Sequence, residues 1–210
     1  MSEIIPNEEF VKRNYDKTVE LIKKTYKVEN EKVFLPPLLH MINELGMRYA
    51  LCPASSHKDY YSAFPGGLCY HNLHVLQWLI KFSSLMAPDK YSKETLLKIS
   101  ILHDIGKIGD MKNDLYLPTK EDWKIKNGTY YDINPDINFM RIQQRSLHLA
   151  NQYGVPLEEE EYLAILLSEG QNDETNSSYK YRESDLAIIL HYANDWCQRI
   201  EKKTNKVNWP

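Results

Sequence analysis

A chain of 210 residues with 42% hydrophobic and 26% charged residues is long enough to bury a sizeable core and has the balance of an ordinary globular protein. No stretch approaches the roughly 20 apolar residues of a membrane span, so a membrane partner is not expected. A net charge of -3 gives no general attraction to phosphate backbones, so strong nucleic-acid binding is not expected either. Cys52, Cys69 and Cys197 are odd in number, far apart and never in a Cys-x-x-Cys pair, which argues against a disulfide framework or a zinc knuckle. The segment from Met1 to Asn14 lacks a basic start, an apolar run and a small-residue cleavage site, and a cytoplasmic protein is the expectation.

In chain order, Asn7 to Lys27 spaces Phe10, Val11, Tyr15, Val19, Leu21, Ile22 and Tyr26 among charges at helical intervals, with Asn7 as a candidate cap. This is a leading amphipathic helix, able to serve a homodimer or to pack on its own chain. Pro36 and Pro37 open a second helical stretch, Leu38 to Leu45, which Gly46 closes as a left-handed cap. Cys52 to Gly67 is rich in Pro, Ser and Gly and reads as a loop. Leu68 to Leu85 is a core helix with His71 in its first turns, and Ser92 caps the next helix, which delivers His103 and Asp104 just before Gly106. Trp123 to Tyr131 alternates about Asn127-Gly128 and predicts a small β-hairpin. Helical pattern resumes over Ile137 to Tyr153, over Leu157 to Leu167 behind Pro156, and over Ser184 to Lys203. The expectation is a mostly α single domain over 1–210, with a leading helix in 1–35, a helical core in 36–203 and a small β-hairpin insertion. No repeat or linker divides it.

The chemistry concentrates at Ser100-Ile-Leu-His-Asp-Ile-Gly-Lys107, where an imidazole and a carboxylate on neighbouring residues end an apolar helix. Imidazole nitrogen and carboxylate oxygen suit borderline or hard divalent ions, and a helix end lets such side chains converge while the helix stays packed. A lone His-Asp pair is a weak signal and reads more readily as a helix-terminal histidine beside a surface acid.

The run Ile101-Leu-His-Asp-Ile-Gly-Lys107 resembles the signature of the HD-domain metal-dependent phosphohydrolase superfamily. Cys52-Pro-Ala-Ser-Ser56, followed by Ala63-Phe-Pro-Gly-Gly-Leu-Cys-Tyr-His71, is similar to the segment that carries the first metal histidine in its bacterial and phage members. Leu190-His-Tyr-Ala-Asn-Asp-Trp196 resembles the late helix that supplies the closing aspartate. The likeness spans roughly Pro36 to Glu201 and points to short phage-type HD proteins and to the HD half of a bacterial 3′-to-5′ exoribonuclease.

That resemblance implies an HD-type helical fold and one divalent metal ion, with Mn, Ni, Co, Fe, Mg and Zn not distinguished. It makes His71, His103 and Asp104 the ligands. The fourth ligand departs from the family, because Ala193 is followed by Asn194 and Asp195 comes one place late. Adjacent helical residues point about 100° apart, and the phase of Leu190, Ala193 and Cys197 favours Asn194, whereas a helical bulge would restore Asp195. Two-metal relatives carry further histidines where this chain reads Arg141-Ile-Gln-Gln-Arg-Ser146 and Leu167-Ser-Glu-Gly170, so one ion is expected.

The implied activity is hydrolysis of a phosphate ester of a nucleotide or short oligonucleotide by metal-activated water. Asp104 and Lys107 are the catalytic candidates, Asp104 orienting the water and Lys107 offsetting charge on the phosphate. Lys107, His74, Tyr61 and Glu169 are candidates for substrate contact, and Tyr60, Tyr61 and Phe64 lie in a loop able to stack a base or wall a pocket. His148 and His191 read as packed, exposed or supporting residues, while His40 and His57 carry no assigned role. The alternative is a degenerate HD fold that binds a nucleotide or a protein partner without turnover.

Overall fold

The computed structural model describes residues 3–171, 173–200, 203 and 206–207. It is mostly α-helical with a small two-stranded antiparallel insertion. The main helices are α1 (Glu8–Tyr26), α2 (Pro37–Leu51), α3 (Gly67–Met86), α4 (Lys93–Leu102), α6 (Ile142–Gln152), α7 (Glu159–Leu166) and α8 (Asp185–Asp195). A short helix, α5 (Asp122–Lys126), joins β2 (Tyr116–Pro118) to β3 (Tyr131–Ile133). Near the ends, β1 (Glu3–Ile4) pairs in parallel with β4 (Lys206–Val207). Among the described residues no helix is long and apolar enough to cross a membrane.

The two expected N-caps form where the sequence places them: Asn7 and Ser92 each accept a hydrogen bond from the backbone N–H three residues on, opening α1 and α4. Ser184 does the same for α8. Helix α3 is the axle of the fold, packing against α8, α4, α2 and α1. Its Leu68, Val75 and Leu79 are fully buried with Ile42, Ile99, Ile101 and Leu190. Lys98 on α4 and Glu161 on α7 form a buried ion pair at 2.7 Å, and the same ammonium donates to the carbonyl of Pro156.

Four boundaries differ from the sequence expectation. Gly46 takes a positive φ of 47°, but it kinks α2 instead of ending it, and the helix continues to Leu51. The hairpin does not turn at Asn127-Gly128. Its strands are β2 and β3, Trp123–Lys126 is helical, and Asn127 ends that helical turn. Local propensity there yields to the loop before α3, which clamps the connection: Lys58 N–H donates to Gly128 at 2.8 Å and Tyr130 N–H to Ser56 at 2.9 Å. Helix α6 starts at Ile142, not Ile137, because residues 134–141 form an irregular turn. The last helix gives way after Asp195 to a wide π-helical turn, Trp196–Ile200, and residues 201 and 202 of the expected helix lie outside the described residues.

After α4 the chain makes a tight 3-10 turn, Ile105–Ile108, pressed against the start of α6. Gly106 N–H donates to Ser146 Oγ at 2.9 Å, and Ser146 Oγ donates in turn to the carbonyl of His103 at 3.2 Å. A Cβ on Gly106 would stand 2.3 Å from the Ile142 carbonyl oxygen and 2.9 Å from the Ser146 nitrogen, both backbone atoms that cannot rotate away. Gly106→Ala is therefore expected to destabilise the protein by about 1–3 kcal/mol in urea unfolding. A change below about 0.5 kcal/mol would contradict this close approach.

Candidate metal centre

Three elements bring four side chains together. His71 sits one turn into α3, His103 and Asp104 end α4, and Asn194 lies on the inner face of α8. All four are buried, with exposures of 2%, 0%, 0% and 2%. His71, His103 and Asp104 each offer a ligand atom within 4.8 Å of the others. His71 Nε2 and His103 Nε2 each lie 3.6 Å from Asp104 Oδ2, and His71 Nε2 lies 3.0 Å from Asn194 Oδ1.

Atoms bound at about 2.0–2.2 Å to one ion stand roughly 3.0–3.6 Å apart in tetrahedral or octahedral arrangements, so these spacings fit a shared cation. Two orphaned atoms point the same way. His103 Nε2 and Asp104 Oδ1 are buried without a hydrogen-bond partner. Leaving such groups unpaired costs about 1–3 kcal/mol each; a cation among these ligand atoms would satisfy His103 Nε2, and Asp104 Oδ1 as well where the carboxylate binds through both oxygens. The His103 tautomer is also fixed, since Nδ1 lies 2.9 Å from the Ser100 carbonyl and donates to it, leaving the Nε2 lone pair aimed at the centre.

The electrostatics suit a ligand set. Burial pushes the His71 pKa well below that of a free imidazole and the His103 pKa down as well, against the opposing pull of Asp104, so both rings are neutral near pH 7. Burial alone would raise the Asp104 carboxyl, but Lys107, His103 and His71 outweigh it and hold the group below the usual carboxylate range. A buried cluster of two imidazoles and one carboxylate able to coordinate a metal ion is thus present. Comparison with protein-family models, curated proteins and solved structures returned no match. The chemistry has to be read from the centre itself.

Asn194 and Asp195 are separated cleanly. Asn194 faces the cluster, and Gln198 Nε2 donates to its Oδ1 at 2.9 Å, which orients the amide oxygen inward. Asp195 lies outside the cluster in an ion pair with Arg199 at 2.6 Å. The wide turn that could have rotated Asp195 inward begins one residue after it.

Lys107 and Tyr61 cover the carboxylate. The Lys107 ammonium lies 2.6 Å from Asp104 Oδ2 and also donates to the Tyr61 hydroxyl, which in turn donates to Asp104 Oδ2 at 3.1 Å. The Tyr61 ring packs on His71 with centroids 4.4 Å apart. Glu169 is half-buried. Gln143 Nε2 donates to it at 3.3 Å, and burial, then the charge of Asp104, raise its pKa.

The other sequence candidates lie elsewhere. His74 packs on Tyr70 outside the cluster, Tyr60 is exposed beside His57, and Phe64 is buried against Phe10. His191 Nδ1 contacts the Ser168 carbonyl at 3.1 Å, and His148 is exposed. All three cysteines are buried and none belongs to the cluster. Sequence reasoning missed Ser146 and Gln198. Gln198 stands four residues from Asn194, a spacing that signals a helical pair, whereas the role of Ser146 depends on a tertiary contact that no local pattern announces.

Below about pH 6.5 the unfolded chain protonates its imidazoles while the folded centre resists, so the unfolded state binds more protons and stability falls with pH. Thermal melts of metal-stripped protein should give a lower Tm at pH 5.5 than at pH 7.5, with His103→Asn reducing the slope. An unchanged slope would mean that His103 is not buried in its neutral form. Converting the neutral donor to a carboxylate by Asn194→Asp should tighten metal binding about tenfold or more by calorimetry, and weaker binding would place residue 194 outside the coordination sphere.

Proposed function

We propose that the protein is an HD-type metal-dependent phosphohydrolase that cleaves a phosphate ester of a nucleotide or short oligonucleotide. The observation carrying this reading is the buried His71, His103 and Asp104 cluster with the Lys107 ammonium on the same carboxylate. The donor set contains one carboxylate, so a bound divalent ion retains uncompensated positive charge, and Lys107 adds to it. Such a centre favours an anionic phosphoryl group over a neutral carbonyl.

His71, His103, Asp104 and the Asn194 amide oxygen would hold the ion. When bound, it would acidify a water and polarise a phosphoryl oxygen. Asp104 orients the attacking water through its carboxylate. Lys107 shifts from Asp104 toward the phosphoryl oxygens as charge develops there, and the Tyr61 hydroxyl donates a hydrogen bond to the same group. Water adds to phosphorus as the P–O ester bond breaks, and the alcohol leaves with a proton. Glu169, whose pKa is raised by burial and by the charge of Asp104, contacts the substrate.

A second reading, nucleotide binding without turnover, is favoured by one feature: Asn194 brings no charge, and Lys107 already neutralises the one carboxylate. Metal analysis followed by a nucleotide panel with manganese, nickel and magnesium separates the two. The hydrolase reading expects about one ion per chain and turnover that Asp104→Ala lowers by at least about 10³-fold, with Lys107→Ala lowering kcat by about 10–100-fold. Nucleotide binding with no bound metal and no turnover would replace it with the second reading.

A further inference from the structure

We propose that the cavity of about 410 Å³ beside Lys107 binds the planar heteroaromatic ring of the substrate by stacking, without selecting among bases. This inference rests on the phosphoester reading of the adjoining centre and deepens it by assigning where the ester's organic part lies. The cavity opens between the end of α2, the loop before α3 and the β2–β3 insertion, and its volume falls in the range of small-molecule sites, roughly 300–1,000 Å³.

Its walls are flat and apolar. Tyr116 and Tyr131 stand side by side on the paired strands, ring centroids 6.3 Å apart and planes at 59°, and Pro53 and Pro118 line the same cavity. Aromatic faces of this kind hold any nucleobase, because every base presents a π-face. Selection among bases needs hydrogen-bonding groups fixed as donors or acceptors, and the three charged residues lining the cavity, Arg48, Asp114 and Lys107, are already engaged in ion pairs. Arg48 donates to Asp114 Oδ1 at 2.6 Å and to the carbonyls of Asp110 and Asn113 at 3.0 and 2.7 Å. Phenolic hydroxyls both donate and accept, so those of Tyr116 and Tyr131 do not distinguish a base edge offering one from an edge offering the other.

Lys107 connects the cavity to the metal centre. It lines the cavity, while its ammonium contacts Asp104 Oδ2. A ring stacked on the face of either tyrosine therefore leaves its phosphate-bearing substituent in the same cavity as Lys107. The insertion thus has a role that its sequence does not suggest, and the stacking surface lies on its strands, not on Tyr60 or Phe64 of the preceding loop.

The test uses protein stripped of metal with EDTA and free nucleosides, so that it does not depend on hydrolysis. Calorimetry should detect adenosine, guanosine, cytidine and uridine with dissociation constants within about tenfold of one another, and no binding of ribose. Leu51 lines the cavity and is 46% exposed, so Leu51→Glu should keep the fold. That variant should weaken all four nucleosides about fivefold or more with metal binding unchanged, and Tyr131→Ala should do the same if it retains the native melting profile. The proposal is overturned if no nucleoside binds up to about 10 mM, if one base is preferred by more than about tenfold, or if Leu51→Glu leaves the affinities unchanged. Nucleoside binding in a protein that neither holds metal nor hydrolyses esters would retain the cavity and remove the phosphohydrolase; hydrolysis without nucleoside binding would do the reverse.

Discussion

Asp104 is a carboxylate withdrawn completely from water, and most of the architecture near it exists to make that tolerable. Burying an ionised carboxylate costs several kcal/mol even after relaxation, so the group needs positive charge or strong donors close by. Lys107 supplies one charge from the next turn, and Tyr61 supplies a hydroxyl from the loop. The turn that presents Asp104 is held by Ser146 and by the absence of a side chain at Gly106. Even so, Oδ1 of Asp104 and Nε2 of His103 remain unpaired inside the protein. Both unpaired atoms belong to the buried His71, His103 and Asp104 cluster, which is able to coordinate a metal ion.

The starts of α1 and α4 were legible because capping is local. Asn7 and Ser92 each act on the third N–H beyond them, a relation contained within four residues. The stripe of Leu190, Ala193 and Cys197 favours Asn194 for the inner face but leaves Asp195 open through a helical bulge; the helix keeps its phase through both, so Asn194 is buried and Asp195 pairs with Arg199. What was not legible depends on contacts between distant segments. Asn127-Gly128 has the chemistry of a tight hairpin, but hydrogen bonds from the loop at Ser56 and Lys58 hold the segment in another form. The cavity beside Lys107 is likewise built from pieces far apart in sequence, from Met47 to Tyr131.

The same geography sets two unlike surfaces side by side. The His71, His103 and Asp104 cluster is polar and sealed by apolar helices. The neighbouring cavity is mostly apolar, with its charged residues already paired. Lys107 belongs to both, and its position one turn after Asp104 joins the buried cluster to the insertion. Asn194 brings a neutral amide oxygen to the cluster where a second carboxylate would bring charge.

X-ray absorption on cobalt-loaded protein reads the coordination shell directly. The account predicts a first shell containing two imidazole nitrogens, with the imidazole scattering signature reduced in His71→Ala and in His103→Ala. A shell made only of oxygen ligands, or one unchanged by both substitutions, would contradict it.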